Sequence, residues 1–207
     1  VYNIQQSMKF FIDTANIKEI EELVPTGFVD GVTTNPSLIA KNGDDMAKTI
    51  KAICSIVSGP VSAEVTATNF DKMLEEGQYL SSLAKNVTIK VPLTFNGLKV
   101  CKILREKNIM VNVTLCFSAA QALLAAKAGA SFISPFVGRL DDIGENGMSL
   151  IENIVIMYEN YGFETEVLVA SVRSPQHVID AAVIGAHVAT LPPKVIHDLY
   201  EHPLTKK

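Results

Sequence analysis

Lys90 is the residue of this sequence whose position most directly suggests chemistry. It lies in Val87-Thr88-Ile89-Lys90-Val91-Pro92, a β-branched run typical of a strand buried on both faces. Burying an ammonium group there costs on the order of several kcal/mol, unless the group is paired or loses its proton. A deprotonated lysine can attack a carbonyl and form a Schiff base. The alternative is a structural lysine that reaches solvent from an edge strand or pairs with a carboxylate, and this segment alone leaves both interpretations open.

The composition limits the classes of protein to which the chain can belong. Its 207 residues are 48% hydrophobic and 19% charged, with a net charge of −4, which favours one compact domain. Without a basic run or a long apolar stretch, neither nucleic acid nor a membrane is an expected partner. Three cysteines without a CxxC pair predict reduced thiols in a cytoplasmic protein, and the histidine spacing predicts no metal site. We interpret residues 1–7 as a leader or an expression remnant and residues 8–207 as the catalytic domain.

Short apolar runs alternate with amphipathic stretches along the whole chain. Eight candidate strands and eight candidate helices follow one another strictly, a pattern typical of an all-parallel sheet. A glycine ends an alanine-rich helix before a strand at both Gly129 and Gly185, an offset of 56 residues that fits two βα units. The sequence therefore predicts an α/β fold, a single-domain (β/α)8 TIM barrel. A doubly wound open sheet is the second choice, but no phosphate-binding glycine motif follows any strand.

Polar residues share one parity in the predicted strands. Side chains alternate across a strand, so each strand turns one set of residues toward the barrel interior. With Lys90 as an interior residue, the same parity places further polar groups inside, mostly near the C-terminal ends of their strands, at Asp13, Thr33, Asn35, Ser62, Glu64, Thr88, Asn112, Thr114, Ser134 and Ser171. One buried Ser or Thr usually means a satisfied structural hydrogen bond. An amine with two carboxylates, however, supplies the nucleophile and proton shuttle that carbinolamine formation and dehydration require.

Two arginines indicate what kind of substrate the predicted barrel binds. Arg139 follows the sixth predicted strand and Arg173 follows the seventh. Phosphate sites of barrels are often built from the loops after late strands, and the guanidinium group suits phosphate geometry. Either arginine could instead form a surface ion pair. The pair of them favours a phosphorylated substrate.

Four motifs in order make the chain resemble the transaldolases. They are Thr33-Thr34-Asn35-Pro36-Ser37-Leu38-Ile39, Ile89-Lys90-Val91-Pro92, Asn112-Val113-Thr114-Leu115 and Ser134-Pro135-Phe136-Val137-Gly138-Arg139. The short length is similar to the small-subunit branch, which also contains the fructose-6-phosphate aldolases. The resemblance covers residues 8–203 and implies a (β/α)8 barrel that needs neither a metal nor an organic cofactor.

The resemblance also implies roles for individual residues. Lys90 would form the Schiff base with a ketose phosphate, Glu64 and Thr114 would dehydrate the carbinolamine through a bound water, and Asp13 would take the C4 hydroxyl proton. The substrate-binding positions would be Thr33, Asn35, Asn112, Ser134 and Phe136 around the sugar and Arg139, Ser171 and Arg173 around the phosphate.

Glu64 and Phe136 resemble the transaldolase branch, because the aldolase branch carries an amide and a tyrosine at these two positions. The expected reaction is therefore transfer of dihydroxyacetone from sedoheptulose 7-phosphate to glyceraldehyde 3-phosphate, giving erythrose 4-phosphate and fructose 6-phosphate. The alternatives are an aldolase that releases free dihydroxyacetone and a barrel that binds a sugar phosphate without turnover. The resemblance further implies a homo-oligomer, a pentamer or decamer. Small family members usually carry one more C-terminal helix, and we expect that arm to be missing or truncated here.

Overall fold

Eight parallel strands close into a barrel in chain order, which confirms the predicted (β/α)8 architecture. The computed structural model describes residues 7–41 and 45–207. The proposed leader at residues 1–7 therefore lies almost entirely outside the described residues. The strands are β1 (Lys9–Asp13), β2 (Gly31–Thr33), β3 (Val61–Glu64), β4 (Val87–Pro92), β5 (Val111–Cys116), β6 (Phe132–Pro135), β7 (Glu166–Val169) and β8 (Val188–Leu191).

Within the described ranges ten α-helices surround the strands, two more than predicted. They are α1 (Ile17–Leu23), α2 (Pro36–Lys41), α3 (Met46–Ile56), α4 (Phe70–Ser81), α5 (Phe95–Glu106), α6 (Ala119–Lys127), α7 (Val137–Asp142), α8 (Gly147–Tyr161), α9 (Pro175–Ile184) and α10 (Pro193–Tyr200). The two additional helices, α2 and α7, have six residues each and lie in βα loops, where so short a segment shows no helical period. None of the helices described is long and apolar enough to cross a membrane.

Side-chain caps fix the points at which the chain turns from strand to helix. Asn69, Thr94, Ser118 and Ser174 each accept a hydrogen bond from a backbone N–H in the first turn of α4, α5, α6 and α9. Each cap satisfies one of the helix donors that would otherwise have no partner. Because these caps follow closely after strands, they keep the βα loops short at the C-terminal face of the barrel.

Apolar packing occupies two separate regions. The larger core lies between the helices and the outer face of the sheet. A second cluster lies inside the barrel and consists of Phe11, Phe132, Leu168, Ala170 and Val188, of which Ala170 follows the end of β7 and reaches the C-terminal half. The rings of Phe11 and Phe132 meet edge to face, with centroids 5.7 Å apart. This cluster closes the lower half of the interior, so the polar interior residues come together in the upper half.

Candidate active site

A cavity of about 170 Å³ opens at the C-terminal ends of the strands. Its lining contains ten of the twelve predicted site residues, namely Asp13, Thr33, Asn35, Lys90, Asn112, Thr114, Ser134, Phe136, Arg139 and Ser171. Ala170 and Thr190 complete the lining. A larger cavity of about 850 Å³ lies beside the N-terminal ends of β1, β6 and β7 and contains none of the predicted site residues. The predicted site residues therefore come together in the smaller cavity, although the other has more volume.

Lys90 is buried at the bottom of this cavity. Only 7% of it is exposed, and its Nζ lies 3.0 Å from Oε2 of Glu64 and donates to the carbonyl of Thr34 at 3.3 Å. The pairing follows from register, because Glu64 and Lys90 face each other on β3 and β4. Glu64 does not line the cavity itself but contacts the amine directly. This contact satisfies the buried charge and also gives the Nζ proton a nearby acceptor.

Asp13 lines the same cavity and is partly buried. Burial raises the pKa of its carboxyl above the ordinary range, and the charge of Lys90 and a hydrogen bond from Thr33 oppose that rise. The Thr33 hydroxyl donates to Oδ1 of Asp13 at 2.8 Å and lies 2.5 Å from the hydroxyl of Thr190. Thr190 was not among the predicted site residues. Thr190 and Val188 lie two residues apart on the eighth strand and therefore point to the same face, which is the barrel interior. This alternation is the signal that could have identified Thr190.

Asn112, on β5, is held in one orientation by side chains of β3 and β6. Its Oδ1 accepts the Ser134 hydroxyl at 2.7 Å, and its Nδ2 donates to the Ser62 hydroxyl at 3.3 Å. Asn112 is fully buried and lies beside Lys90 in the register of β4 and β5. One Nδ2 hydrogen therefore remains to bind an oxygen in the cavity.

Thr114 carries a hydroxyl that is buried and has no hydrogen-bond partner within residues 7–41 and 45–207. Leaving such a group unsatisfied costs roughly 1–3 kcal/mol. The backbone around it is irregular: β5 contains one more residue than β6 between Val113 and Cys116, and Leu115 has a φ of 60°. The hydroxyl of Thr114 is therefore held in the cavity wall at a position that a bound polar group could satisfy.

Phe136 and Arg139 line the cavity, and the Phe117 ring packs against Phe136. The Arg139 guanidinium lies 5.0 Å from the centroid of the Phe136 ring, and the Phe117 ring packs 5.7 Å from that centroid. Phe117 was not predicted, because it follows β5 in a loop and belongs to none of the motifs. Asn35 lies on the opposite side, where its Oδ1 caps α2 by accepting the Leu38 N–H at 2.9 Å.

Ser171 and Gly138 bring the loops after β6 and β7 into close contact. The Gly138 N–H donates to the Ser171 carbonyl at 3.0 Å, and a Cβ at Gly138 would lie 2.3 Å from that oxygen. Ser171 has a φ of 57°, a conformation that is uncommon for residues other than glycine. The close approach therefore requires glycine at 138 and places Ser171 beside Arg139 in the cavity lining.

Arg173 is the predicted site residue that the structure leaves on the outside. Its side chain is 48% exposed and forms a bidentate ion pair with Asp142, with Nη2 2.7 Å from Oδ2. The hydrogen bond between them raises the pKa of Arg173 and lowers that of Asp142. In this conformation Arg173 is the surface ion-pair residue that the sequence left open as an alternative.

The comparisons with known proteins agree with this geometry. Residues 10–207 match the transaldolase/fructose-6-phosphate aldolase family. The chain is 61% identical over 201 residues to a protein of Rhodospirillum centenum named probable transaldolase, an alignment that covers 97% of this chain and 87% of the relative. A protein of the same name from Parvibaculum lavamentivorans is 62% identical, with coverage of 97% and 92%. The chain belongs to the transaldolase/fructose-6-phosphate aldolase family.

Proposed function

We propose that this protein is a transaldolase that transfers a dihydroxyacetone unit between sugar phosphates through a Schiff base on Lys90. The observation that carries the proposal is a buried amine at the end of β4 that contacts Glu64 and faces Asp13 across a polar cavity. The names of the relatives support the same reaction, because both are probable transaldolases.

The first stage joins the enzyme and the ketose phosphate. Glu64, 3.0 Å away, takes a proton from the Lys90 ammonium, and the freed Nζ lone pair attacks the C2 carbonyl. The resulting carbinolamine loses its hydroxyl as water when Glu64 returns the proton, which leaves an iminium ion. The Thr114 hydroxyl has no other partner and would bind the leaving oxygen or a water that relays the proton.

The second stage breaks the carbon–carbon bond. Asp13 takes the proton of the C4 hydroxyl, the C3–C4 bond breaks, and its electron pair moves into the iminium to form an enamine. Because burial raises the pKa of Asp13, this carboxylate is a stronger base than an exposed one. The released aldose phosphate departs, and a second aldose reacts with the enamine by the same steps in reverse.

Substrate binding follows from the remaining polar groups. Asn112, with one free amide hydrogen, together with Thr33, Asn35 and Ser134, would hold the hydroxyls of the three-carbon unit. Arg139 and Ser171 would bind the phosphate at the rim. We keep Arg173 as a phosphate ligand in this proposal, which requires its guanidinium to leave Asp142, a half-exposed pair of low strength. The proton and electron steps above need no metal or organic cofactor.

Phe136 favours transfer over release of free dihydroxyacetone. Its ring lines the cavity, stacks with Arg139 and has no hydroxyl that could donate a proton or order water beside the enamine. The second candidate is an aldolase, which the family description also covers. A barrel that binds sugar phosphate without turnover is a third, but it would not need a buried amine paired with Glu64.

The proposal is tested by trapping with borohydride in the presence of fructose 6-phosphate. We expect one dihydroxyacetone adduct on Lys90 and net turnover only when erythrose 4-phosphate is added as the acceptor. Lys90→Ala should lose both the adduct and turnover, whereas Lys99→Ala, a lysine that lies over the Phe70 ring, should keep both. An adduct on another lysine would reject the mechanism. Steady release of dihydroxyacetone without an acceptor would support the aldolase instead.

We also propose a cytoplasmic homo-oligomer, a pentamer or decamer. Exposed apolar side chains on α8 and α9, namely Ile156, Ile179 and Val183, support an oligomer, since they provide apolar surface for subunit contacts. The free cysteines support a reducing compartment: Cys101 and Cys116 are buried, and burial raises the pKa of Cys101 to about 12. Sedimentation velocity would measure the assembly, and a monomer at micromolar concentration would reject it.

A further inference from the structure

A histidine outside the cavity joins the two loops that carry the arginines. His177, on α9, accepts the backbone N–H of Arg173 at its Nδ1, with a distance of 3.1 Å. Its Nε2 lies 2.8 Å from Oδ2 of Asp141, on α7. Because a backbone N–H can only donate, Nδ1 must be the acceptor and Nε2 carries the proton that bonds to Asp141. Both ring nitrogens are therefore occupied by groups from different elements.

Asp141 extends the connection to a third element. Its Oδ1 accepts the Gly147 N–H at the start of α8 at 3.0 Å. The pKa of the Asp141 carboxyl lies below its ordinary range. The hydrogen bond from Gly147 is the largest cause, and the hydrogen bond and charge of the His177 ring contribute less. The His177 side chain is only 15% exposed, whereas the Asp141 side chain is 43% exposed, so one partner of this bond is shielded; in the neighbouring Arg173–Asp142 pair both side chains are about half exposed. His177 and Asp141 thus form a partly shielded contact between α7 and α9.

The loop that receives this contact is strained. Ser171 has a φ of 57°, and a non-glycine residue keeps such a conformation only when its surroundings hold it there. One constraint is the Gly138 N–H, which donates to the Ser171 carbonyl at 3.0 Å. The bond from the Arg173 N–H to His177 is a second constraint, two residues further along the chain.

We propose that His177 and Asp141 are positioning residues that hold Ser171 and Arg173 in register with Arg139 for recognition of the substrate phosphate. The inference rests on the proposed function, in which these three residues bind the phosphate. Neither His177 nor Asp141 lines the cavity, so their effect on the substrate passes through the two loops. Loss of the contact removes one of the bonds between the 171–173 loop and α7 and leaves only the Gly138–Ser171 bond and the half-exposed Arg173–Asp142 pair that are described above. Lys90, Glu64 and Asp13 keep their places on other strands.

The test compares a phosphorylated donor, fructose 6-phosphate, with fructose. His177→Ala should raise KM for fructose 6-phosphate about tenfold, as expected for the loss of a hydrogen bond to a charged group. The kcat of this variant with fructose 6-phosphate and its kcat/KM for fructose should both stay within about twofold of the values for the unmodified protein. Asp141→Asn should give the same pattern. The asparagine can still accept the Gly147 N–H, but it offers no charged oxygen to the Nε2–H of His177.

Two further variants separate positioning from folding. His177→Gln retains an acceptor and a donor on one side chain and should recover most of the lost affinity for fructose 6-phosphate. Gln176→Ala on the same helix removes an exposed bond to Asp180 and should leave both substrates unaffected. An equal loss for both donors, or no loss for either, would overturn the inference while the Schiff-base mechanism stands. If the unmodified protein shows no preference for the phosphorylated donor, the phosphate site is rejected and this inference with it.

Discussion

At the residue scale, the proposed chemistry depends on how two carboxylates near one amine accept and donate protons. Glu64 touches Lys90 and can exchange a proton with it directly, whereas Asp13 lies apart and is held by Thr33. Desolvation raises the pKa of Asp13, and the positive charge of Lys90 limits that rise. The positive charge is absent in the carbinolamine and returns on the nitrogen in the iminium ion, so it again lowers the pKa of Asp13 when the C3–C4 bond breaks.

Asp13→Asn should increase the free energy of unfolding at pH 7 while stalling cleavage after the Schiff base forms. Because the folded state has the higher pKa, ionisation of Asp13 destabilises the fold, and this loss develops as pH rises from the unfolded pKa through the folded one. The gain from asparagine should therefore be full above the folded pKa and vanish below about pH 4.

Urea unfolding at pH 7 and at pH 4 measures the stability difference, and borohydride trapping measures the Schiff base. Asp71→Asn, in the exposed first turn of α4, is the control and should show no gain at pH 7. A less stable Asp13→Asn at pH 7 would mean that attraction to Lys90 outweighs the desolvation of the carboxyl.

Phe136→Tyr should shift the protein from transfer toward release. The added hydroxyl would place a donor beside the enamine, and the nearly unchanged ring volume should leave packing intact. The measurement is the ratio of free dihydroxyacetone to transfer product at fixed acceptor. Phe117→Leu is the matched control, because it alters the ring packed against Phe136 and adds no hydroxyl. A similar rise in release for both variants would assign the effect to loosened packing.

At the element scale, the site depends on irregular backbone at the ends of otherwise regular strands. The extra residue in β5 puts both Thr114 and Leu115 between Val113 and Cys116, whose partners on β6 are only two residues apart. Leu115 takes a positive φ there, at a cost of roughly 1–2 kcal/mol for a residue with a Cβ. The bulge sets the direction of the Thr114 hydroxyl, so its strain is connected to the proposed dehydration step.

Exchanges at Leu115 test this connection. Glycine adopts positive φ without strain, so Leu115→Gly should keep the bulge and retain kcat. Leu115→Ile adds branching at Cβ, which disfavours this conformation, and should be about 1–2 kcal/mol less stable than the glycine variant and slower in Schiff-base formation. Chemical unfolding and single-turnover trapping give the two readouts. Equal trapping rates in both variants would show that the bulge does not position Thr114.

The element scale also shows how far the sequence could predict the site. Alternation along strands located eight of the lining residues, since a closed barrel fixes which parity faces inward, whereas Phe136 came from the family resemblance and Arg139 from its place after the sixth strand. It could not show the bulge at Leu115, which breaks that alternation, or the short helices α2 and α7, which are too brief for a period. It also left Arg173 undecided, because its Asp142 partner lies 31 positions earlier on another element. Such contacts depend on how loops pack together, which no local pattern records.

At the scale of the whole molecule, apolar packing and the proposed chemistry occupy opposite halves of the barrel interior. Phe11, Phe132, Leu168 and Val188 fill the N-terminal half, and the polar cavity occupies the C-terminal half. Strands β1 and β8 pair at Phe11 and Thr190, so the apolar layer meets the polar half where these two strands close the barrel. The polar half contains a desolvated carboxyl, an unsatisfied hydroxyl and strained residues, and the close packing below it offsets their cost.

Substitution in the apolar layer should therefore lower stability without changing the chemistry. Phe11→Ala removes a fully buried ring from the edge-to-face pair with Phe132 and should cost about 3–5 kcal/mol, while the milder Phe132→Leu should cost roughly 0.5–3 kcal/mol. Folded Phe132→Leu should keep kcat and KM for fructose 6-phosphate within about twofold, because the layer touches none of the proton-transfer groups. Denaturant unfolding gives the stability loss, and kinetics below the transition give the activity. A large fall in kcat with little change in stability would show that the lower layer positions Asp13 or Lys90, and that the two halves of the barrel act as one unit.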